Sequence, residues 1–363
     1  MKKKKVLHIV ESFGSGVFSF LVDLINCTDS EFEIVVAYGV RSETLPNFKD
    51  YFSDKVRFIK VDNFTRSINP IKDIKAVKEI KRIVKDEKPD IVHMHSSKAG
   101  IIGRIAINGR KVKMLYNPHG FSFLMKDSSK IKRLIYWWIE KLAALRKCTI
   151  VGCSKGEYEE ALKLSKNAIC INNGINIEKL EDSVKGLERI KTDFKNLKVC
   201  TCGRLGFQKN PEMFNKIAEQ FPNIQFTWIG DGELREKLTS KNIKITGWMK
   251  REDVLEEVLN NDIFILASLW EGLPISLLEA MYLERICLVS NVIGNRDVIN
   301  NEQNGFVCEK SADFCSVIHS IMDGKYDINT IVNNSKEDVI KKYDVKLMSE
   351  KYMKLYREES VRK

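Results

Sequence analysis

The chain has 363 residues, 44% of them hydrophobic and 30% charged, and its 60 Lys and Arg outnumber 49 Asp and Glu for a formal net charge of +11. That length suits two domains rather than one core, and the composition is that of a globular protein. No apolar run approaches the ~18 residues of a membrane-spanning helix, so the expectation is a soluble or peripherally attached protein with an anionic partner that charge alone does not identify.

From the N-terminus, MKKKKVLHIVESFGSG is basic, but Glu11 cuts its apolar stretch below the ~7 to 15 residues of a signal-peptide core, and VLHIV (6–10) reads as a first buried strand. FGSG (13–16) then opens a helix, so Gly14, Ser15 and Gly16 can form a tight phosphate or acceptor loop. Ser19 stands where a third glycine would complete G-x-G-x-x-G, which argues against a dinucleotide. After the strand EIVVAY (33–38) comes a basic helix with Lys72, Lys75, Lys78, Lys81, Arg82, Lys85 and Lys88, and with Ile71, Ile74, Val77, Ile80 and Val84 assigned to its core face. DIVHMH (90–95) alternates His93 and His95 on one face. Two histidines without a third ligand make a poor zinc site, so His93 is assigned to packing, and His95 with Ser96 to the acceptor side. KMLYN (113–117) runs into NPHGF, which places His119 at a strand end before a glycine. KIKRLIYWWIEKLAALRK (130–147) is an amphipathic helix with six Lys and Arg. Its core stripe is assigned to Ile131, Leu134, Ile135, Trp138, Leu142 and Leu145, leaving Tyr136 and Trp137 to pack elsewhere or enter lipid. TIVGCS (149–154) closes this half. Nine cysteines without a C-x-x-C pair fit reduced thiols in the cytoplasm.

The pattern restarts with KVCTCG (198–203), IQFTWIG (224–230), IKITG (243–247), DIFILAS (262–268) and ICLVS (286–290). Continuous apolar strands alternating with helices imply parallel sheets covered on both faces. The expected division is an acceptor-side domain at 1–175, a charged linker at 176–197, a nucleotide-binding domain at 198–342 and a crossover helix at 343–363. Two doubly wound α/β domains would face one another across a cleft that takes the ligand. In WEGLPISLLEAM (270–281), Pro274 reads as the first residue of a helix whose N-terminus suits a diphosphate. Gly272 allows close backbone approach, Glu271 sits at the entrance, and Glu279 reaches ribose hydroxyls.

This stretch resembles the E-x7-E signature of the retaining family 4 glycosyltransferases of GT-B fold, and other motifs of that family recur in order. GRLGFQKN resembles its Gly-Arg…Lys element, which implies that Arg204 and Lys209 grip the donor diphosphate next to Gly203. IKITGWM resembles the base-binding segment, with Gly247, Trp248 and Met249 near the nucleobase, although Trp248 could equally be a core aromatic. The resemblance adds Leu273, Pro274 and Ser276 to the donor site and implies that His119 contacts the donor sugar near the reacting carbon. NVIGNRDVINNEQNGFVC departs from the family's usual glycine turn and adds Arg296, and YLERICLVS departs at Glu284 and Arg285, a change expected to affect only a turn. The implied activity is metal-independent and cofactor-free: transfer of a sugar from a nucleotide diphosphate sugar, UDP by expectation, to a lipid-linked saccharide in cell-surface polysaccharide synthesis. Anionic membrane contact through 130–147 and the Lys-rich 72–88, at the inner face of the cell membrane, is part of that expectation. Nucleic acid is not, because no recognition motif is present. The rival expectations are a nucleotide-sugar epimerase and a non-catalytic basic protein that binds nucleic acid or membrane.

Overall fold

The computed structural model describes residues 3–11, 13–41, 44–65, 67–187 and 196–358. They fall into two units, each built on one parallel sheet.

The first unit comprises the chain up to Leu124, Ser128–Asn173 and everything from Val345 on. Its elements are β1 (Lys5–Val10), α1 (Ser15–Thr28), β2 (Glu33–Tyr38), β3 (Arg57–Lys60), α2 (Pro70–Glu87), β4 (Ile91–His95), α3 (Ser97–Ala106), β5 (Lys113–Asn117), α4 (Lys130–Ala143), β6 (Thr149–Gly152), α5 (Lys155–Leu164), β7 (Ala168–Cys170) and a C-terminal helix, Val345–Arg357. The strands run in the order β3-β2-β1-β4-β5-β6-β7. Alternate residues face opposite layers, as the period of a strand demands. Val6 and Val10 pack with Phe20, Leu24, Tyr352 and Tyr356 from α1 and the C-terminal helix, whereas Leu7 and Ile9 pack with Ala76, Ile80 and Ile102 from α2 and α3.

Two helices depart from the inward faces that the sequence suggested, α2 in part and α4 wholly. In α2, which Asn69 caps by accepting from Lys72 N, Val77, Ile80 and Val84 pack against the core as expected, beside buried Ala76 and Ile83, while Ile71 and Ile74 point to solvent. In α4 the assignment is reversed: Ile131, Leu134, Ile135, Trp138, Leu142 and Leu145 are exposed, whereas Tyr136 and Trp137 pack against the core. The cause is Glu140. Its carboxylate lies 2.6 Å from Arg104 Nη2 and accepts from Tyr116 Oη at 2.7 Å, with all three side chains buried. A buried charge must keep its partner, so α4 is held with Arg133, Tyr136, Trp137 and Glu140 inward and its most apolar stripe outward.

The second unit holds Met125–Asp127 and Gly174–Asp344. It contains α6 (Ile177–Ser183), β8 (Lys198–Cys202), α7 (Pro211–Glu219), β9 (Gln225–Ile229), β10 (Ile243–Ile245), α8 (Arg251–Leu259), β11 (Ile263–Leu266), α9 (Ile275–Tyr282), β12 (Ile286–Ser290), α10 (Asn295–Val298), β13 (Phe306–Cys308), α11 (Ser311–Met322) and α12 (Ile328–Lys342). The strand order is β10-β9-β8-β11-β12-β13. The segment read as a linker therefore carries a helix of this unit. The unusual Glu284-Arg285 turn has a structural use: buried Arg285 donates to the carbonyls of Leu259 and Asn261 at 3.1 and 2.7 Å, closing the C-terminal end of α8.

In each sheet the strand order reverses once, between β1 and β4 and between β8 and β11. Doubly wound sheets bind ligands beyond the carboxyl ends of the strands at such reversals.

Candidate active site

At the reversal in the second unit, the loop after β8 and the loop after β11 are stitched together. Leu269 N donates to Gln208 O at 2.8 Å, and Gln208 Nε2 donates to Trp270 O at 2.9 Å and to Glu271 Oε2 at 3.3 Å. Lys209 Nζ lies 2.7 Å from Glu271 Oε1, both side chains being largely buried. Arg204, in the same loop, bonds Glu233 Oε2 at 3.0 Å. A lysine and an arginine are thus held at a strand-end loop that also opens a helix, an arrangement able to bind an anion.

Glycines let this edge close up. Gly203, Gly230 and Gly247 follow β8, β9 and β10 with φ of 144°, 132° and 78°, and a side-chain carbon on Gly230 would lie 2.4 Å from Gly203 O. Gly294, at φ 85°, would collide with Gly272 O at 2.3 Å if it bore one. The turn after β12 therefore packs directly on the loop that carries Glu271 and Gly272. The helix α9 starts at Ile275, with Pro274 at its cap, one residue later than the sequence suggested. Leu273 is buried, and Ser276 lies in the first turn of α9.

Glu279 is buried in α9, and its carboxylate is paired with Arg251, the first residue of α8. Sequence reasoning missed Arg251, although it follows the Gly247–Met249 segment by two residues. Trp248 is 68% exposed, so it is not the core aromatic that the sequence left open.

At the reversal in the first unit, β1, β4 and β5 are neighbours in register, with Val10 opposite His95 and His95 opposite Asn117. Two non-glycine residues beyond these strands adopt positive φ: Ser96 at 80° and His119 at 52°. Such strain is retained where the surroundings over-determine it, and it gathers at functional sites. Around His119, Gly120 N donates to Glu157 Oε1 at 2.5 Å, and the ring of Phe20 packs edge-on at 4.6 Å. Ser96 Oγ is buried with no partner among the described residues. Gly14 caps α1, and no described atom lies within 4 Å of a side-chain carbon placed on Gly16. Ser15 begins α1.

The assignment of His95 to the acceptor side is corrected: its side chain is fully buried behind His119, with Nδ1 3.2 Å from His119 Nε2. His93 does pack, bonding Asn117 Oδ1 at 2.6 Å and Tyr356 Oη at 2.7 Å. The sequence reading lacked His8, which brings a third histidine to this pair, all three ligand atoms lying within 4.8 Å. The donor set does not fit a metal, because His93 spends both ring nitrogens on Asn117 and Tyr356 and His95 spends both on His8 and His119. Burial holds every one of these imidazoles neutral. His93 is pushed down to about 4 and His119, half-buried and next to His93, down to about 3, while His8 and His95 lie well below the usual range.

The chain matches the family described as Glycosyl transferases group 1 over residues 184–338 and Glycosyltransferase Family 4 over residues 14–179. It is 33% identical over 344 residues to the UDP-Gal:alpha-D-GlcNAc-diphosphoundecaprenol alpha-1,3-galactosyltransferase of Escherichia coli, covering 85% of each chain. It is 23% identical to the N,N'-diacetylbacillosaminyl-diphospho-undecaprenol alpha-1,3-N-acetylgalactosaminyltransferase of Campylobacter jejuni, over 94% of this chain and 96% of that protein. Among solved structures, sucrose-phosphate synthase from Thermosynechococcus elongatus superposes with a TM-score of 0.82 at 16% identity, covering 98% of both chains. Anabaena HepE in complex with UDP superposes at 0.73 and 15% identity, over 97% of this chain and 99% of that one.

Proposed function

Because the chain belongs to the family 4 glycosyltransferases and has their GT-B fold of two Rossmann-like domains, we propose that it moves a sugar from a UDP-sugar to a hydroxyl of an undecaprenol-diphosphate-linked saccharide, with retention of anomeric configuration and without a metal ion. The observation that carries the substrate classes is the 33% identity over 85% of both chains to an enzyme named for UDP-Gal and a diphosphoundecaprenol acceptor.

The second unit takes the donor in this reading. Breaking the glycosidic bond builds negative charge on the leaving diphosphate, and fixed cations stabilise it most where water is scarce. Lys209 and Arg204, on one glycine-bounded loop, are suited to that task, and the N-terminus of α9 adds its free N–H groups. Glu271, already held by Lys209 and Gln208, accepts from the sugar hydroxyls. Glu279 accepts from the ribose hydroxyls, sharing its carboxylate with Arg251. The exposed indole of Trp248 lies with Gly247 and Met249 on the nucleobase side. From the first unit, His119 meets the transferred sugar, and Gly14–Gly16 with Ser96 serve the acceptor end.

No protein nucleophile is assigned. The sugar's bond to the diphosphate breaks while the acceptor oxygen approaches the same face, and the departing phosphate oxygen takes the acceptor's proton. The first unit would rest on the bilayer through α4, whose exposed Ile131, Leu134, Trp138 and Leu142 are flanked by Lys130, Lys132 and Lys141, with exposed Ile71 and Ile74 on the Lys-rich α2. None of the described helices is long and apolar enough to cross a membrane. The test is transfer itself, with the anomeric configuration of the product read out.

A further inference from the structure

Four of the protein's five histidines cluster beneath the first unit's strand ends, with the ring of His93 packed 5.3 Å from that of His8 and 4.1 Å from that of His95. Three of them form a chain: His8 Nδ1 is 3.0 Å from His95 Nε2, and His95 Nδ1 is 3.2 Å from His119 Nε2. The rings of His8 and His95 stack at 5.3 Å and those of His95 and His119 at 5.5 Å, with interplanar angles of 18° and 19°. They sit on the side of the sheet that faces α1 and the C-terminal helix, because residues 8, 93 and 95 alternate with the Leu7, Ile9, Val92 and Met94 of the other layer.

The end of the chain fixes its direction. His8 Nε2 is buried and has no partner among the described residues. Each ring is neutral and carries one proton, so the protons can run only one of two ways. Running inward, from His119 to His8, they would leave His8 with a buried N–H that donates to nothing. Running outward, they leave His8 with only an unused lone pair, and orphaned buried N–H groups are the rarer defect in folded proteins. In the outward arrangement His8 Nδ1–H donates to His95 Nε2, His95 Nδ1–H donates to His119 Nε2, and His119 keeps its proton on Nδ1.

We propose that His8 and His95 are positioning residues that hold His119 as the Nδ1–H tautomer, so that this ring can only donate a hydrogen bond at the site. The function of that donation rests on the reading that His119 meets the transferred sugar. A ring so held offers its Nδ1–H to a sugar oxygen and has no free lone pair with which to take the acceptor's proton. His93 stands beside the chain rather than in it. Tyr356 Oη and Asn117 Oδ1 occupy its two nitrogens, and Asn117 is fixed in turn by donating to Tyr352 Oη at 2.7 Å.

The test is a long-range proton–nitrogen correlation spectrum of the whole protein labelled with nitrogen-15 in histidine, recorded near neutral pH without substrates. The expected result is His8, His95 and His119 each protonated at Nδ1. His8→Leu should release His119 into a mixture of tautomers, and His8→Asn, whose amide occupies the place of Nδ1–H, should restore it. His8→Leu should also lower kcat about tenfold, the equivalent of one hydrogen bond, with little change in donor KM. His119 protonated at Nε2 in the wild type, or unchanged in His8→Leu, would overturn the proposal. If His8→Leu fails to fold, the wild-type spectrum alone decides. A spectrum as expected combined with undiminished transfer by His119→Ala would leave the chain standing and remove the functional reading of His119.

Discussion

Lys209 Nζ and Glu271 Oε1 lie 2.7 Å apart, joining the loop after β8 to the loop after β11 where the strand order of the second unit reverses. The cation assigned to the leaving diphosphate is thereby kept in place by the carboxylate assigned to the sugar. Lys209→Ala should lower kcat by roughly 10² to 10³, the effect of removing one electrostatic stabiliser of a developing anion. Lys209→Arg should recover only part of it, since the fork of Arg does not match a single point contact. Steady-state transfer rates check this, and wild-type kcat in Lys209→Ala would remove the lysine from the mechanism.

Glu279 and Arg251 make a second pair, with Glu279 buried and Arg251 half exposed. Glu279→Ala should weaken UDP binding by about tenfold or more, one lost charge-assisted hydrogen bond being worth roughly 1.5–3 kcal/mol. Arg251→Ala leaves a buried carboxylate without its cation, so it should lower Tm by several degrees. Calorimetric titration with UDP and a melting curve separate the two effects. Unchanged UDP affinity in Glu279→Ala would refute the ribose assignment.

Acid should destabilise the first unit through its histidines. The unfolded chain takes up protons on these rings below about pH 6.5, whereas folded His93 does so only near 4. The unfolded state therefore binds more protons in that window, and stability falls as pH drops from 6.5 toward 4. His93 alone accounts for about 2 kcal/mol by pH 5. The urea midpoint of the wild type should decline across this range, and that of His93→Gln, which cannot titrate there, should decline less. Equal slopes would show that His93 stays neutral for no energetic reason.

Trp137 and Trp138 are neighbours with opposite fates. Trp138 is 54% exposed on the outer stripe of α4, and Trp137 packs inward. Trp138→Glu together with Leu142→Glu should abolish sedimentation with vesicles containing anionic lipid while leaving Tm within a few degrees. Trp137→Ala should instead cost stability, by about 3 kcal/mol or more. Vesicle binding that survives the double substitution would place the membrane contact elsewhere.

The strands that alternate with helices in the middle of each sheet are legible because burial on both faces demands an unbroken apolar run, as in EIVVAY and ICLVS. The strands that escaped notice, RFIK, AIC and FVC, form β3, β7 and β13 at sheet edges, where a short segment covered on fewer sides needs no such run. The orientation of α4 was illegible for a related reason: periodicity ranks apolarity, and the inward face is decided by Glu140 finding Arg104 from another helix. The motifs carried Lys209, Glu271 and His119 to strand ends. His8 and Arg251 carried no local signal, since each becomes part of a site only through a partner far along the chain, His95 or Glu279.

The most direct test of the proposed activity is to incubate the protein with labelled UDP-Gal, UDP-GlcNAc or UDP-GalNAc and an undecaprenol-diphosphate-linked saccharide, and to read the anomeric proton coupling of the product. The account predicts transfer from one of these donors in the presence of chelator, slowed by roughly 10² to 10³ in Lys209→Ala, with an α linkage that keeps the donor's configuration. A β linkage, or no transfer to any lipid-linked acceptor from any UDP-sugar, would contradict it.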